Sequence, residues 1–330
     1  MRYLIIPVVL FINLNLSFGQ ERSIAVSKIY ASERHDAFTS LIKFKEYYYC
    51  AFRSGEHHVY GKDGGSMILR TTDVDNNNWQ QVDYLTKSGV DLRDPKLSIT
   101  PDGRIMALVG GSTYEQKELL GMQTQVSFSD TKGSRFSQPQ PIVVPDEVRT
   151  NFDWLWSVTW HHDNAYGVLS QRKAKTSKLV KSSDGIHYEF VCDLGLDGRP
   201  NEARVRFDEA DRMYILHRRE EADQKGCWGW SDAPYVDWTW QQLAHRLGGP
   251  DFIILPGGAV LAGSRIYHDT GNKVGILYGD ISGIFNEVVE LPSGGDCSYP
   301  SFLVEPNRIL MSYYSSHEGT ADIYLAQIQR

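Results

Sequence analysis

Cysteine is the scarcest residue in this sequence, with four among 330 residues. None stands in a Cys-x-x-Cys pair or at zinc-ligand spacing, which argues against a zinc finger or a dithiol redox motif. An exported protein can form disulfides, and four cysteines allow three pairings. Four free thiols, mostly buried, are equally compatible with the sequence. The four are Cys50, Cys192, Cys227 and Cys297.

Positive charge is also in short supply. The chain carries 34 lysines and arginines against 41 aspartates and glutamates, which gives a net charge of −7. Binding to nucleic acid or to an anionic membrane therefore has no general electrostatic support. We expect no nucleic-acid partner, and an acidic substrate would need a local positive site.

Long apolar runs are missing except at the start of the chain. Arg2 precedes the apolar run Tyr3–Phe11, which is too short to span a bilayer, and the small-residue segment Ser17–Gln20 follows. This pattern predicts a secretory signal peptide over residues 1–20 and one domain over residues 21–330. We expect an exported protein, periplasmic or secreted, without membrane insertion. No cysteine stands at the exit to carry a lipid anchor, and the oligomeric state stays open.

Helical periodicity is absent as well, since no convincing long amphipathic helix can be found. The chain consists instead of short runs rich in β-branched and aromatic residues, separated by turn residues such as Pro101–Gly103. This pattern predicts an all-β protein. The predicted strands are Leu41–Phe44, Tyr47–Phe52, Ser66–Thr71, Lys96–Ile99, Ile105–Val109, Gln123–Ser127, Ala165–Leu169, Met213–Leu216 and Ile323–Ile328.

A turn motif recurs between these strands: serine or threonine, then aspartate, often glycine, and then an aromatic residue. Successive aspartates are 57, 54, 48 and 48 residues apart, a period typical of propeller blades. The aspartate can cap backbone N–H groups of a turn between the third and fourth strands of a blade. The aromatic residue can pack between neighbouring sheets. The five aspartates are Asp73, Asp130, Asp184, Asp232 and Asp280.

The number of repeats defines the architecture. A mature chain of about 310 residues at this period makes six four-stranded antiparallel blades. The last segment, Ile309–Gln327, supplies too few strands for a whole blade. We therefore predict that the N-terminal strand Ser23–Tyr30 completes it and closes the ring. The predicted fold class is an all-β, six-bladed β-propeller.

Two chemically interesting residues stand at matching positions, where predicted inner strands begin. Tyr299 follows the Gly-rich turn Ser293–Asp296, and Glu202 precedes the strand Ala203–Phe207. Because inner strands surround the centre of a propeller, the two side chains can meet there. A phenol has an unperturbed pKa of about 10, so it acts as a base or nucleophile near neutral pH only if a partner takes its proton.

The order of these motifs resembles the sialidase superfamily, six-bladed propellers whose repeat turns are called Asp boxes. The resemblance covers nearly the whole mature chain. It implies that Tyr299 is the nucleophile and that Glu202 activates it. It further implies that Asp63, in a Gly-rich loop after the first blade's second strand, is the general acid.

The resemblance also implies a set of arginines that hold the carboxylate of the substrate. Arg218, on the strand after Glu202, matches the second arginine of the family, and Arg219 is the alternative. Arg265 matches the third arginine. Both matches lie at strand ends on facing blades.

The first arginine of the family has no match here. The corresponding stretch is His35–Leu41, in which Ala37 stands where the arginine should be. Arg34 is out of phase, because an odd shift along a strand turns the side chain to the other face. Arg53 or Arg93 could substitute. An incomplete clamp shifts the expected substrate from sialic acid itself towards a uronic or other acidic sugar.

Several histidines lie near predicted ends of inner strands. His58 follows the second strand of the first blade, and His162 ends the first strand of the third blade. Histidine titrates near neutrality and can act as an acid, a base or a metal ligand. We predict both as substrate-binding residues. No histidine pair has helical metal spacing, so the sequence assigns no metal and no cofactor.

Three functions are compatible with these residues. The first is an exo-acting glycoside hydrolase on the acidic terminal sugar of oligosaccharides, favoured by Asp63 and Glu202. The second is a β-eliminating lyase or dehydratase on uronate-terminated oligosaccharides, in which a tyrosine or histidine removes the C5 proton. The missing arginine and the added histidines favour it. The third is a non-catalytic, glycan-binding propeller, against which the retained tyrosine–glutamate–arginine–aspartate set argues.

Overall fold

The computed structural model describes residues 12–15, 21–60 and 64–330. These residues form 26 strands and no helix, so none of them belongs to a helix that could cross a membrane. The strands are arranged in six antiparallel sheets, which are the blades of a six-bladed β-propeller. The predicted fold class is confirmed.

The first three blades follow one another along the N-terminal half of the chain. In the second blade an additional strand, β9, pairs with β8. The strands are β3 (His35–Phe44), β4 (Tyr47–Gly55), β5 (Gly65–Thr71) and β6 (Gln80–Leu85); β7 (Asp91–Ile99), β8 (Ile105–Glu115), β9 (Glu118–Met122), β10 (Gln125–Phe128) and β11 (Gln140–Pro141); and β12 (Asp153–His161), β13 (Asn164–Gln171), β14 (Thr176–Ser182) and β15 (Glu189–Asp193).

The other three blades use the rest of the chain and its N-terminal strands. Blade 6 combines C-terminal and N-terminal strands in one sheet. The strands are β16 (Pro200–Phe207), β17 (Met213–Arg219), β18 (Lys225–Ser231) and β19 (Thr239–Arg246); β20 (Asp251–Ile254), β21 (Ala259–His268), β22 (Gly271–Asp280) and β23 (Phe285–Leu291); and β24 (Cys297–Val304), β25 (Arg308–Ser315), β26 (Asp322–Gln329), β2 (Glu21–Tyr30) and β1 (Ile12–Asn15).

The ring closes as the sequence predicts, through the pairing of β2 with β26. The register runs from Ile24 opposite Ile328 to Tyr30 opposite Ile323. Joining the two ends of the chain in one sheet removes the open edges that a linear array would leave. Strand β1 pairs with β2 at the outer edge and falls inside the predicted signal peptide, most of which lies outside the described residues. The signal peptide therefore stays a prediction.

The first strands of the six blades contact their neighbours around the whole ring, in the order β3, β7, β12, β16, β20, β24 and back to β3. Apolar side chains fill the space between neighbouring blades. Between blades 1 and 2, for example, Tyr49 and Ile68 pack with Leu97 and Val109, all of them buried. Burial on both faces of a sheet explains why these strands are almost continuously hydrophobic.

The repeated aspartate turns lie where the sequence predicts, between the third and fourth strands of blades 1 to 5. Asp130 and Asp184 each accept two backbone N–H groups of their own turn, at 2.7–3.0 Å. The aromatic residues Tyr188 and Phe285 are buried against the sheets. Asp232 forms an ion pair with Arg212 instead.

All four cysteines are described, and all four are free thiols. Cys50, Cys227 and Cys297 are buried, and Cys192 is partly buried. Of the two readings that the sequence left open, the fold therefore adopts the one with free thiols.

Candidate active site

The N-terminal ends of the six first strands meet at one face of the ring. In five of them the register with the second strand shifts near this end, at Ala37/Ser40, Arg93/Lys96, Leu155/Val158, Pro200/Ala203 and Ser298/Ser301. Such a shift marks a β-bulge, which bends the strand and re-aims a side chain. The residues that the bulges bring together at the centre are Phe38, Asp94, Trp156, Glu202 and Tyr299.

Three of these residues have a left-handed backbone. The φ angle is 67° at Phe38, 52° at Asp94 and 54° at Tyr299. Each such residue costs about 1–3 kcal/mol, and residues of this kind cluster at functional sites. The fifth blade contributes Gly249, where a Cβ atom would lie only 2.4 Å from Cδ2 of Tyr299. Glycine at this position therefore makes room for the tyrosine ring.

Tyr299 and Glu202, predicted as a catalytic pair, are in direct contact. The Tyr299 hydroxyl donates a hydrogen bond of 2.5 Å to Oε1 of Glu202. Nη1 of Arg218 donates to both oxygens of the same carboxylate, at 2.9 and 2.8 Å, and its Nη2 lies 2.7 Å from Glu220. Arg219 forms its ion pairs elsewhere, with acidic residues of neighbouring loops. Of the two candidate arginines, only Arg218 joins the pair.

The charges of this group follow from its burial and its contacts. Burial works against an ionised Glu202, but the positive charge of Arg218 and the hydrogen bond from Tyr299 outweigh it, so the pKa of Glu202 is lowered. Burial, followed by the negative charge of Glu202, raises the pKa of Tyr299 well above its usual value. The resting state is therefore a neutral phenol facing an ionised carboxylate that can accept its proton.

Arg265, which the resemblance matches to the third arginine, lies on β21 of blade 5, and its charge interacts with Tyr299. Its Nε donates to the carbonyl oxygen of Cys297 at 2.8 Å, and its Nη2 lies 3.1 Å from the Tyr314 hydroxyl. The Tyr314 hydroxyl in turn donates to Oδ1 of Asp296 at 2.8 Å. Arg265 is thus held beside the tyrosine by neutral and anionic partners.

An aromatic ring from the stretch that the resemblance aligns with the first arginine lies beside Tyr299. Both Ala37 and Phe38 are fully buried. The Phe38 ring centroid lies 4.7 Å from that of Tyr299 and 5.4 Å from that of Tyr314. The position beside the tyrosine is therefore apolar, and it is occupied by the residue that follows Ala37, at the bulge.

The two arginines predicted as substitutes differ in their partners. Arg53 is fully buried and forms an ion pair with Asp91, at 2.6 Å between Nε and Oδ1. The contacts of Arg93 are longer: 3.4 Å to the Tyr114 hydroxyl and 3.8 Å to Asp94. Its guanidinium lies 5.0 Å from the Phe38 ring centroid. Arg93 is therefore better placed than Arg53 to supply a third positive charge.

Two buried charged residues beside the site were not assigned a role from the sequence. Within the described residues neither carboxylate oxygen of Asp94 has a hydrogen-bond partner. Burial raises the pKa of Asp94 to about 6, against the opposing charge of Arg93. Nζ of Lys96 donates to the carbonyl oxygen of Thr39 at 2.7 Å and lies 4.6 Å from the Trp156 ring centroid. Burial lowers the pKa of Lys96 to about 7.

His58 lies at the edge of this cluster and shares a carboxylate with a second histidine. Nδ1 of His58 is 2.5 Å, and Nε2 of His35 is 2.7 Å, from Oδ2 of Asp296. The His58 ring also packs edge-on against Phe38, with 5.0 Å between centroids. Burial lowers the pKa of His58, while Asp296 opposes this shift. His35 and Asp296 belong to different blades, so no local sequence signal connects them.

Of the remaining predicted site residues, one lies away from this cluster and one lies outside the described residues. His162 lies in the turn after β12, beyond the end of the strand that is remote from Trp156, and 72% of its side chain is exposed. Because an inner strand runs from one face of the ring to the other, His162 is on the opposite face. Asp63 lies outside the described residues, so its role as general acid stays a prediction.

A cavity of about 230 Å³ adjoins the buried cluster on the side of blades 3 and 4. Its lining includes Arg172, Arg199 and Asn201, together with Glu220, which pairs with Arg218. A larger cavity of about 700 Å³ lies between blades 2 and 3, and among the described residues neither cavity is lined by a predicted site residue.

Comparisons with known proteins agree with this architecture. No protein-family model matches the sequence, and a search of curated proteins finds no match. Among solved structures, a protein of unknown function from Dyadobacter fermentans DSM 18053 is similar, with a TM-score of 0.78 and 18% identity over 92% of this chain and 97% of that chain.

Two enzymes share the fold at lower identity. Trypanosoma rangeli sialidase in complex with the inhibitor DANA has a TM-score of 0.66 and 12% identity over 96% of this chain and 57% of that chain. An alpha-L-arabinofuranosidase from Fusarium graminearum, in complex with an iminosugar inhibitor, has a TM-score of 0.66 and 13% identity over 89% and 93%. The chain thus has the six-bladed propeller fold of these glycosidases, and it is a divergent example of that fold.

Proposed function

We propose that this chain is an exported, exo-acting glycoside hydrolase that removes an acidic terminal sugar, a uronate or a sialic-acid-like residue, from oligosaccharides. The observation that carries the proposal is the 2.5 Å hydrogen bond from Tyr299 to Glu202, with Arg218 on the far side of the carboxylate. A buried phenol bonded to an ionised carboxylate is a nucleophile with its base in place. The fold shared with a sialidase and an arabinofuranosidase supports the same class of chemistry.

The reaction proceeds in two steps. The Tyr299 oxygen bonds to the anomeric carbon while its proton moves to Glu202, and the glycosidic bond breaks as an acid protonates the departing oxygen. Water then attacks the anomeric carbon, and the deprotonated acid takes up one of its protons. The Tyr299 oxygen leaves as a phenol after recovering its proton from Glu202. Both residues return to their starting state, and one water is consumed.

Two carboxyl groups are candidates for the acid. The resemblance to sialidases assigns this role to Asp63. Asp94 is the second candidate, because its pKa of about 6 keeps part of it protonated near neutral pH. Its charge also acts on both Tyr299 and Glu202, which places it near the reacting atoms.

Three arginines around the tyrosine support the choice of an acidic substrate. Arg218 and Arg265 flank Tyr299. The guanidinium of Arg93 lies over the ring of Phe38, which packs against the tyrosine ring. A guanidinium binds a carboxylate through charge-assisted hydrogen bonds. The ring of Phe38 favours a sugar that presents an apolar face at this position, and a uronate does so more readily than the branched sialic acid.

A second candidate is β-elimination on a uronate-terminated oligosaccharide. The observation that favours it is the pair of imidazoles of His35 and His58, which converge on Asp296 next to Tyr314. In this reaction the arginines neutralise the C5 carboxylate, one tyrosine or histidine removes the C5 proton, and another protonates the departing oxygen. No water is consumed, and the product carries a new double bond.

One assay distinguishes the two reactions. The purified protein is incubated with uronate-terminated and sialylated oligosaccharides while ultraviolet absorbance and product mass are followed. We expect products that have gained one water and no new absorbance. A conjugated, unsaturated uronate would instead assign the chain to the eliminating enzymes. Binding of these glycans without turnover by the wild-type protein would leave only the non-catalytic propeller.

A further inference from the structure

Three potential metal ligands converge beside the tyrosine cluster. The ring nitrogens of His35 and His58 and a carboxylate oxygen of Asp296 all lie within 4.8 Å of one another. His35 begins β3, His58 lies in the loop after β4, and Asp296 precedes β24. The three therefore come from two neighbouring blades, blade 1 and blade 6.

The carboxylate is oriented by contacts that leave one oxygen for this site. Oδ1 of Asp296 accepts a hydrogen bond from Tyr314 at 2.8 Å and lies 3.4 Å from Nη2 of Arg265. The backbone N–H of Asp296 donates to Ser316 at 2.9 Å. The other oxygen, Oδ2, forms hydrogen bonds with the two imidazoles. Such outer contacts are what hold a metal-binding carboxylate in its ligating orientation.

The spacing of the donors suits a small divalent cation. A tetrahedral zinc site with ligand distances of about 2.0–2.1 Å separates its donor atoms by roughly 3.3 Å. The present separations from Oδ2 of Asp296 are 2.7 Å to His35 and 2.5 Å to His58, so each would widen by less than about 1 Å. His58 is on a loop and 39% of its side chain is exposed, which allows this movement. Three protein ligands leave one coordination position open.

The location of the site explains what the cation would do. The rings of His58 and His35 lie 5.0 and 6.2 Å from the ring of Phe38, which itself packs against Tyr299. Arg265 is next to Asp296, and Nη2 of Arg93 lies 3.3 Å from the carbonyl oxygen of His58. Two arginines and a cation repel one another, and a bound anion between them removes this repulsion.

We propose that His35, His58 and Asp296 hold a zinc-like divalent cation, which supplies a positive charge beside Phe38 and binds the carboxylate of the substrate at its open position. The identity of that anion as the sugar's carboxylate rests on the proposed function. The metal site itself does not, because it follows from the three donors and the contacts that orient them.

A second group of similar composition serves as a matched control. His161, His162 and Asp211 also bring three donors together. They lie on the opposite face of the ring, and the side chains of His162 and Asp211 are 72% and 58% exposed. A zinc ion that binds weakly to any surface histidine would prefer this group.

Zinc binding is measured on the chelator-treated full-length protein by titration calorimetry and by elemental analysis after dialysis. We expect one zinc per chain and an affinity that falls about 100-fold or more in His58→Ala, since loss of an outer contact alone costs 10–100-fold. His162→Ala should bind as the wild type does. No zinc binding, or an equal loss in His162→Ala, would overturn the proposed site. Circular dichroism verifies the fold of each variant, and Asp296→Asn gives a second test that preserves the shape of the side chain.

The role of the cation is tested with glucuronic acid as the anion, which needs no turnover. We expect its affinity to be at least tenfold higher for the zinc-loaded protein than for the metal-free protein, a difference of about 1.4 kcal/mol. Equal affinity with and without zinc, or no binding in either state, would overturn the carboxylate role. Failure of the proposed function is distinct from this result, because it would show as zinc-dependent binding of glucuronate without turnover of any oligosaccharide.

Discussion

The hydroxyl of Tyr299 donates a 2.5 Å hydrogen bond to Glu202, a residue 97 positions away in the sequence. The contact exists because β16 and β24 both begin at the same face of the ring and each carries a bulge at that end. Arg218 on the other side of the carboxylate keeps it ionised. The phenol, its base and a cation are therefore in place before any substrate binds.

Removal of the phenolic oxygen should abolish turnover. We expect Tyr299→Phe to lower kcat by roughly 10²–10⁴-fold, because it removes both the nucleophile and the proton passed to Glu202. Tyr313→Phe is the matched control: Tyr313 is also buried, but its hydroxyl donates to the carbonyl oxygen of Pro292. The control should lose about 1 kcal/mol of stability and keep its activity. Near-wild-type turnover of Tyr299→Phe would refute the assignment of the site.

The neighbouring arginines of β17 should differ in their effect on substrate. We expect Arg218→Gln to lower kcat/KM at least tenfold, because a charge-assisted hydrogen bond contributes about 1.5–3 kcal/mol. Arg219→Gln removes ion pairs outside the cluster and should affect stability more than kcat/KM. The loss in Arg218→Gln should be larger on an acidic oligosaccharide than on its carboxyl-reduced analogue. An equal loss on both would mean that Arg218 acts only through Glu202.

The protonation of Asp94 predicts the pH dependence of activity. Its pKa in the folded protein is about 6, above the usual 3.8, because the carboxyl group is buried. As a general acid it works only when protonated, so kcat/KM should fall as the pH rises through about 6. Asp94→Asn should remove this dependence and lower kcat/KM on oligosaccharides far more than on an aryl glycoside, whose leaving group needs no proton. If Asp63→Asn shows this behaviour instead, Asp63 is the acid.

Gly249 should be irreplaceable for a steric reason. We expect Gly249→Ala to lower the free energy of unfolding by about 1–3 kcal/mol and to displace the Tyr299 ring, since the new Cβ would lie 2.4 Å from it. A displacement of about 1 Å can reduce turnover 10²-fold. Gly249 and Gly257 both have a positive φ, of 59° and 83°, but no atom lies within 4 Å of a Cβ at Gly257. Gly257→Ala should therefore lose about 1–2 kcal/mol with unchanged turnover, as measured by urea denaturation and kinetics.

Lys96 should make stability depend on pH. Burial lowers its pKa from 10.5 to about 7, so between these values the unfolded chain holds the proton that the folded protein has lost. The free energy of unfolding should therefore rise with pH above about 7, and this increment should be missing in Lys96→Met. Urea denaturation of both proteins, below pH 7 and at about pH 9, measures the difference. Parallel pH profiles would show that Lys96 keeps its proton throughout.

The parts of the site that could be predicted from the sequence are those that start an inner strand or lie towards the end of the second strand of a blade. Tyr299, Glu202, Arg218 and Arg265 follow recognisable turns or strands, and the fold brings all four together. Arg53, by contrast, is indistinguishable from a site arginine in the sequence, yet its guanidinium is held by Asp91 and by the carbonyl oxygen of His57. A long-range ion pair of this kind leaves no local pattern.

The bulges explain the remaining differences. Alignment along an uninterrupted strand places Ala37 at the position of the missing arginine, whereas the bulge after Ala37 turns Phe38 towards Tyr299. A bulge of the same kind, between Arg93 and Lys96 in blade 2, brings Asp94 to the centre. His162 was predicted near the site because it ends an inner strand, but the two ends of such a strand lie on opposite faces of the ring.

The architecture of this protein follows from the sequence alone, because the Asp-containing turns and the strand periodicity are local and repeat at a countable interval. The sequence also shows which residue types are available for chemistry. Which of them meet depends on the folded chain, in which Phe38 packs against Tyr299 and both His35 and His58 contact Asp296. These contacts join residues from different blades, and their geometry depends on the closure of the ring and on one-residue bulges that strand periodicity does not reveal.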